Sequence, residues 1–205
     1  ALELLQEAGW EVRDGRMVDA DTGQPFRFEI LLVSSEFERI TGPFVQNLRR
    51  LGIDAQVRTV DTAQYQNRLD QFDFDMVVAT WGQSLSPGNE QRDFWSSEAA
   101  DIPGSRNLAG IKDPVVDHLI EKIITAPTRE DLVAATRALD RVLLWGHYVV
   151  PHWHIREERI AYWNKFARPE VDPIYGVDLY AWWIDPQKVA ALQRRERRGA
   201  QAAEE

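Results

Sequence analysis

Apolar residues recur along this chain with two periods, and each change of period marks an element. Leu2, Leu5 and Ala8 share a helical face, and Gly9 stands where a helix stops. Asp14-Gly15 separates two short strand-like runs, 11–13 and 16–18, which predicts a tight hairpin. Thr22-Gly23-Gln24-Pro25 predicts another turn. Phe26, Phe28, Ile30 and Leu32 then alternate with Arg27, Glu29 and Leu31, as in a half-buried strand. Helical spacing returns with Phe37, Ile40, Phe44, Leu48 and Leu51, closed by Gly52. Gly42-Pro43 inside that run predicts a kink or a start near Pro43, because proline lacks the donor a helix interior needs. Ile53, Ala55 and Val57 read as the next strand. Strand, helix and strand in succession form a βαβ unit with a parallel pair.

Asp61 predicts the cap of a short helix reaching Leu69. Residues 74–80 form a continuous apolar run, the pattern of a buried central strand. The segment 81–110 has no clear period and is rich in Ser, Gly, Pro, Asn and Gln. A long irregular segment after a buried strand is where α/β sheets carry their ligand sites. Asp113-Pro114 then opens a helix whose stripe is Val115, Val116, Leu119, Ile120, Ile123 and Ile124. Pro127-Thr128-Arg129-Glu130-Asp131 opens the next, with Asp131 standing in for the Glu or Gln of a capping box. Its stripe is Leu132, Thr136, Leu139, Val142 and Leu143, and the short link predicts antiparallel packing. Residues 149–155 and 159–163 read as strands, 166–176 as irregular, and 179–184 as a last apolar run. No internal repeat is present. The pattern predicts one α/β lobe followed by a tail that belongs elsewhere.

A formal net charge of −9 argues against a nucleic-acid partner, which requires a basic face. The basic cluster Arg194-Arg195-Glu196-Arg197-Arg198 falls in a tail expected to be solvated and frayed. Cysteine is absent, which removes disulfides, thiolate zinc sites and cysteine nucleophiles together. The first residues form an acidic amphipathic pattern without the basic start or apolar core of a signal peptide. With Ala1 in place of an initiator Met, the chain is expected to start within a longer protein.

His152-Trp153-His154 places two imidazoles on one side of a strand, where both could reach one ion. Neither His118 nor His147 is spaced to supply a third ligand. No serine lies in a Gly-x-Ser-x-Gly context, and no phosphate-cradling or dinucleotide motif occurs. A non-enzymatic binder without a cofactor accounts for this, as would a fragment whose catalytic half is missing, and a metal-dependent hydrolase using His152 and His154 is the alternative. A structural domain without any small ligand is a third reading. Polar and aromatic residues cluster in Trp81-Gly82-Gln83-Ser84, Asn89-Glu90-Gln91-Arg92, Trp95, Asn107 and Trp153. Flat rings beside amides suit a peptide, whose backbone alternates donors and acceptors. An ordered surface loop packed by its own tryptophans would read the same way.

Six motifs in order carry a resemblance. They are Ala1-x-x-Leu4-Leu5-x-x-Ala8-Gly9-Trp10 followed by Asp14-Gly15, Leu48-x-x-Leu51-Gly52-Ile53, Val60-Asp61-x-x-x-Tyr65, Phe72-Asp73-Phe74-Asp75-Met76, Asn107-x-x-Gly110-Ile111-x-Asp113-Pro114-x-Val116-Asp117, and Leu139-Asp140-Arg141-Val142-Leu143. Together they resemble the C-terminal half of family 5 extracellular solute-binding proteins, the dipeptide and oligopeptide receptors of ABC importers. Ser86-Pro87-Gly88-Asn89-Glu90-Gln91 with Trp95 is similar to the microcin C and YejA-type subgroup.

The resemblance implies an α/β fold, a mixed sheet flanked by helices, forming one lobe of a type II-like two-lobe periplasmic binding protein. It implies a lobe over 1–160, a return segment toward the missing first lobe over 161–185, and a charged tail over 186–205. Tyr180, Trp182 and Trp183 would then expose surface normally covered. It further implies a periplasmic or lipid-tethered location, a peptide or peptide-like ligand, a membrane permease partner and no catalysis. The ligand residues are expected to be Trp81, Gln83, Ser84, Asn89, Glu90, Trp95, Asn107 and Trp153, with Trp81 and Trp153 as flat walls. One departure matters: many such receptors carry an Asp after the strand-end Trp to pair with the peptide's free amino terminus. Here Gly82-Gln83-Ser84 follows Trp81. The ligand's amino terminus is therefore expected to be blocked or held differently, with Glu90 as the available substitute.

Overall fold

The computed structural model describes residues 1–152, 157–171, 173–174 and 176–203. The chain forms two compact units, Ala1–Val150 and Pro151–Glu205.

In the first unit, α1 (Leu2–Glu7) leads into the antiparallel hairpin of β1 (Trp10–Arg13) and β2 (Arg16–Asp19). Asp14 and Gly15 both take positive φ, the geometry that matches a two-residue turn to the strands' twist. The sheet proper has the order β4-β3-β5, with β3 (Arg27–Leu32) parallel to both β4 (Asp54–Thr59) and β5 (Met76–Val77). The βαβ expectation therefore holds, closed by α2 (Glu38–Arg50). Ile30, Leu32, Val45 and Ala55 form the buried centre, with Phe28, Phe37, Phe44 and Leu48 packed against it.

Gly52 ends this unit's crossover at φ +84°, and a Cβ there would lie 2.6 Å from the Met17 backbone nitrogen. The same approach lets Met17 N–H donate to the Gly52 carbonyl at 2.8 Å, fastening the hairpin to the sheet.

Two expectations for this region change. The helix does not start at Pro43, one of the two outcomes expected there; α2 runs through it from Glu38, preceded by a single turn, Ser35–Phe37. Burial of Thr41 and Val45 on the sheet side offsets the lost helix bond. Residues 74–80 are not a central strand: only Met76 and Val77 pair, at the sheet's edge, and β3 occupies the centre. Side chains replace the ladder beyond that point. The Tyr65 hydroxyl donates to the Val78 carbonyl at 3.0 Å, and Arg106 donates to the Thr80 carbonyl at 2.7 Å. Tyr65 stands on α3 (Thr62–Asp70), which Asp61 caps by accepting from Gln64 N–H at 2.9 Å.

The segment expected to be irregular holds a short helix, α4 (Glu90–Trp95). It packs on α5 (Pro114–Ile124) and α6 (Arg129–Trp145). Asp113 and Thr128 cap these helices as expected, accepting from Val115 N–H and Asp131 N–H. Phe94, Trp95, Ile111, Val116, Ile120, Ile123 and Leu139 form their common core. Val115, expected in the stripe, is exposed instead.

The second unit pairs β6 (Phe166–Ala167) antiparallel with β7 (Trp183–Ile184). Trp182 packs edge-on to Tyr162 at 4.8 Å, while Tyr180 and Trp183 are exposed. The expected strand 159–163 does not form, and a strand occurs instead at 166–167, where Trp183 and Ile184 supply the partners. Residues 149–152 are not in a strand, and 153–155 lie outside the described residues. The tail expected to fray is helical, α7 (Pro186–Ala203), started by Asp185 accepting from Gln187 N–H at 2.8 Å.

Ile120→Ala should destabilise the protein by about 2–5 kcal/mol, the usual cost of a buried cavity. Leu144→Ala, at an exposed position of α6, should stay within about 0.5 kcal/mol. Urea midpoints of the two variants test the contrast.

Candidate ligand-binding site

Once β5 ends, the chain is held by two indoles. The Trp81 N–H donates to the Arg106 carbonyl at 3.0 Å, and its ring lies 4.9 Å from that of Trp95. Trp95 meets Phe94 edge-on at 6.1 Å, and the Arg106 guanidinium lies 4.6 Å over the Phe94 ring. Gln91, Phe94 and Trp95 are three and four residues apart on α4, so one face of a short helix buries all three.

Gln91 is the polar member of that face, only 3% exposed. Its Oε1 accepts from the Trp95 indole N–H at 3.1 Å. Its Nε2 donates to Gln83 Oε1 at 2.8 Å and to Glu90 Oε1 at 3.2 Å. Glu90 Oε1 also accepts from Gly88 N–H at 2.8 Å. Partial burial alone would raise the Glu90 carboxyl, but the Gly88 and Glu90 backbone N–H groups and the Gln91 amide outweigh it and lower the pKa.

The predicted residues divide into two groups. Trp81 is half-buried, and Gln83, Ser84 and Asn89 are exposed, so these can face a ligand. Asn89 Oδ1 accepts from Arg92, which also clamps Glu121 through two hydrogen bonds of 2.9 Å. Arg129 donates to the Leu85 carbonyl at 2.6 Å, tying the loop to α6. Trp95 and Asn107 lie beneath. Asn107 is 0% exposed; its Nδ2 donates to the Ser96 and Ile111 carbonyls and its Oδ1 accepts from Ile111 N–H, each at 2.9 Å. Its amide is spent on closing the loop. Trp153 lies outside the described residues, as does His154 of the proposed metal pair. Among the described residues no group of three or more His, Asp or Glu is placed to hold a metal. None of the predicted residues lines the open hollow of about 340 Å³ between Arg92, Glu98 and Ile102. Gln91 stood in the polar stretch without being singled out; its four-residue spacing from Trp95 was the signal.

Comparison with known proteins gives this fold its relatives. The family described as bacterial extracellular solute-binding proteins, family 5 Middle, matches residues 1–101. The probable peptide-binding protein YejA of Agrobacterium fabrum is 55% identical over 184 residues, covering 89% of this chain and 30% of that protein. The peptidoglycan-binding protein YepA of the same organism is 39% identical over 183 residues, covering 89% and 30%. The oligopeptide-binding protein AppA of Bacillus subtilis, solved with a nonapeptide, matches with a TM-score of 0.59 at 22% identity. That match covers 69% of this chain and 28% of AppA, and it shows the fold. Residues 1–101 thus match the family 5 extracellular solute-binding proteins, and the chain spans 30% of the length of these two relatives.

Asn107→Ala removes three hydrogen bonds at once, a loss on the order of 3 kcal/mol. Ser84→Ala should be close to neutral, and thermal or urea unfolding separates the two. Glu90 supplies a pH test. Its folded-state pKa is depressed, so its stabilisation is present above the unfolded-state value and disappears as pH falls through the folded one. Acid titration followed by tryptophan fluorescence should show a shallower loss of loop structure in Glu90→Gln than in the native protein.

Proposed function

We propose that this chain is part of the substrate-binding component of an ABC importer, taking a peptide or peptide-like solute in the periplasm for uptake. The observation that carries the reading is the 55% identity, across 89% of the chain, to a protein named a probable peptide-binding protein. The exposed amides of Gln83 and Asn89 beside the Trp81 ring support it, because a peptide backbone needs both hydrogen bonds and flat apolar contact. In this reading Trp81, Gln83, Ser84, Asn89 and Glu90 form the wall offered to the ligand. Trp95 and Asn107 hold that wall from beneath. The chain binds and releases its ligand unchanged. Residues 1–160 serve as one lobe, 161–185 return to the rest of the protein, and 186–205 form the charged end. The partners are the other lobe and a membrane permease. No described helix is long and apolar enough to cross a membrane.

Neither Gly82, Gln83 nor Ser84 supplies a carboxylate for a ligand ammonium, and an unpartnered buried charge costs several kcal/mol. The proposed ligand therefore has an amino terminus that is blocked or held differently, with Glu90 as the available substitute carboxylate.

Native mass spectrometry of the full-length protein from its host, followed by denaturation, tests the reading. A released peptide or peptide conjugate is the expected result. A zinc ion released with no organic ligand would instead favour the His152 and His154 hydrolase.

A further inference from the structure

The hydrogen bonds around Gln91 fix the direction of an amide that faces outward. An indole N–H can only donate, so the Gln91 atom 3.1 Å from Trp95 Nε1 must be its oxygen. An ionised carboxylate can only accept, so the Gln91 atom facing Glu90 must be its nitrogen. These two constraints are independent and agree. Gln91 Nε2 therefore donates to Gln83 at 2.8 Å, and the Gln83 atom that receives it must be Oε1. With its oxygen turned inward to Gln91, Gln83 points its two N–H donors outward, at an exposed position two residues after Trp81.

We infer that Gln83 is a specificity-determining residue that presents amide N–H donors to a neutral carbonyl of the ligand, with Gln91 as its positioning residue. This rests on the peptide-receptor reading above. An ammonium carries three donors and no acceptor, so a free amino terminus would set N–H against N–H at Gln83, even where the Glu90 carboxylate attracts its charge. A ligand carboxylate would meet the charge of Glu90, which shares the Gln91 amide. An acylated peptide end avoids both conflicts, because it brings an uncharged acceptor to the outward donors. The surface is thus read from beneath: Trp95 sets Gln91, and Gln91 sets Gln83.

The test uses the full-length protein and a random tetrapeptide pool of which half is N-acetylated. Bound peptides are recovered and counted by mass spectrometry. The native protein should enrich acetylated over free-amine peptides by about tenfold, the fold-change that one net hydrogen bond supplies. Gln83→Glu exchanges the outward donors for acceptors at an exposed position and should abolish or reverse that ratio. Gln91→Met releases the Gln83 amide to rotate and should move the ratio toward one. A purely structural role for Gln91 would lower total recovery and leave the ratio alone, which would overturn its positioning role. No enrichment in the native protein, or an unchanged ratio in Gln83→Glu, overturns the inference while the receptor reading stands. Recovery of neither kind of peptide overturns that reading, and the inference with it.

Discussion

A backbone that leaves a β-sheet must find new partners for its carbonyls, because a buried unpaired carbonyl costs as much as a lost hydrogen bond. Strand β5 stops pairing after Val77, and the groups that follow are met by side chains from opposite directions in the sequence. Tyr65 reaches forward from α3 to Val78, and Arg106 reaches back from beyond α4 to Thr80. Arg106 also covers Phe94 and offers its own carbonyl to Trp81. One arginine therefore joins the end of the sheet, the core of the helical layer and the first residue of the candidate site. That junction sets the start of the loop 81–110, and Gly104 N–H, donating to the Asp70 carbonyl at 2.9 Å, ties its far side to α3.

The order of the loop and its suitability for a ligand are one property. Surfaces that bind well are those whose side chains are already held before the ligand arrives, since immobilising them on binding subtracts from affinity. Trp95 and Asn107 hold the loop from inside, Arg129 holds its outer turn, and the Arg92 clamp on Glu121 holds Asn89. An ordered loop packed by its own tryptophans and a peptide-binding surface are thus not rival descriptions. The first is the means to the second.

Features set by neighbours in sequence were legible before the structure. The Asp14-Gly15 turn, the caps at Asp61, Asp113 and Thr128, and the βαβ unit depend on contacts a few residues apart or on a single crossover. Features set by distant partners were not. The run 74–80 is apolar enough for a central strand, yet its place at the edge depends on which strands lie beside it. Phe166 and Ala167 carry no strand pattern of their own and pair only because Trp183 and Ile184 arrive. The tail's helix was masked by charge, which says how a segment meets water and little about its backbone. The site showed the same division: composition pointed to the right stretch, while the roles of its amides depended on geometry. Asn107 and Asn89 look alike in sequence; one is sealed in the loop and the other is exposed. The direction of Gln83 is invisible without the indole that orients Gln91.

Gly52 carries a consequence beyond its turn. Its missing side chain leaves room for the Met17 backbone, and its positive φ excludes most other residues from the same place. In sequence space this position is close to isolated: almost every single-residue neighbour would push the Met17 backbone of β2 away from the Gly52 carbonyl it now bonds. The ribbon's attachment is therefore inherited through an empty volume, and drift in the residues around it must preserve a gap as faithfully as other positions preserve a contact.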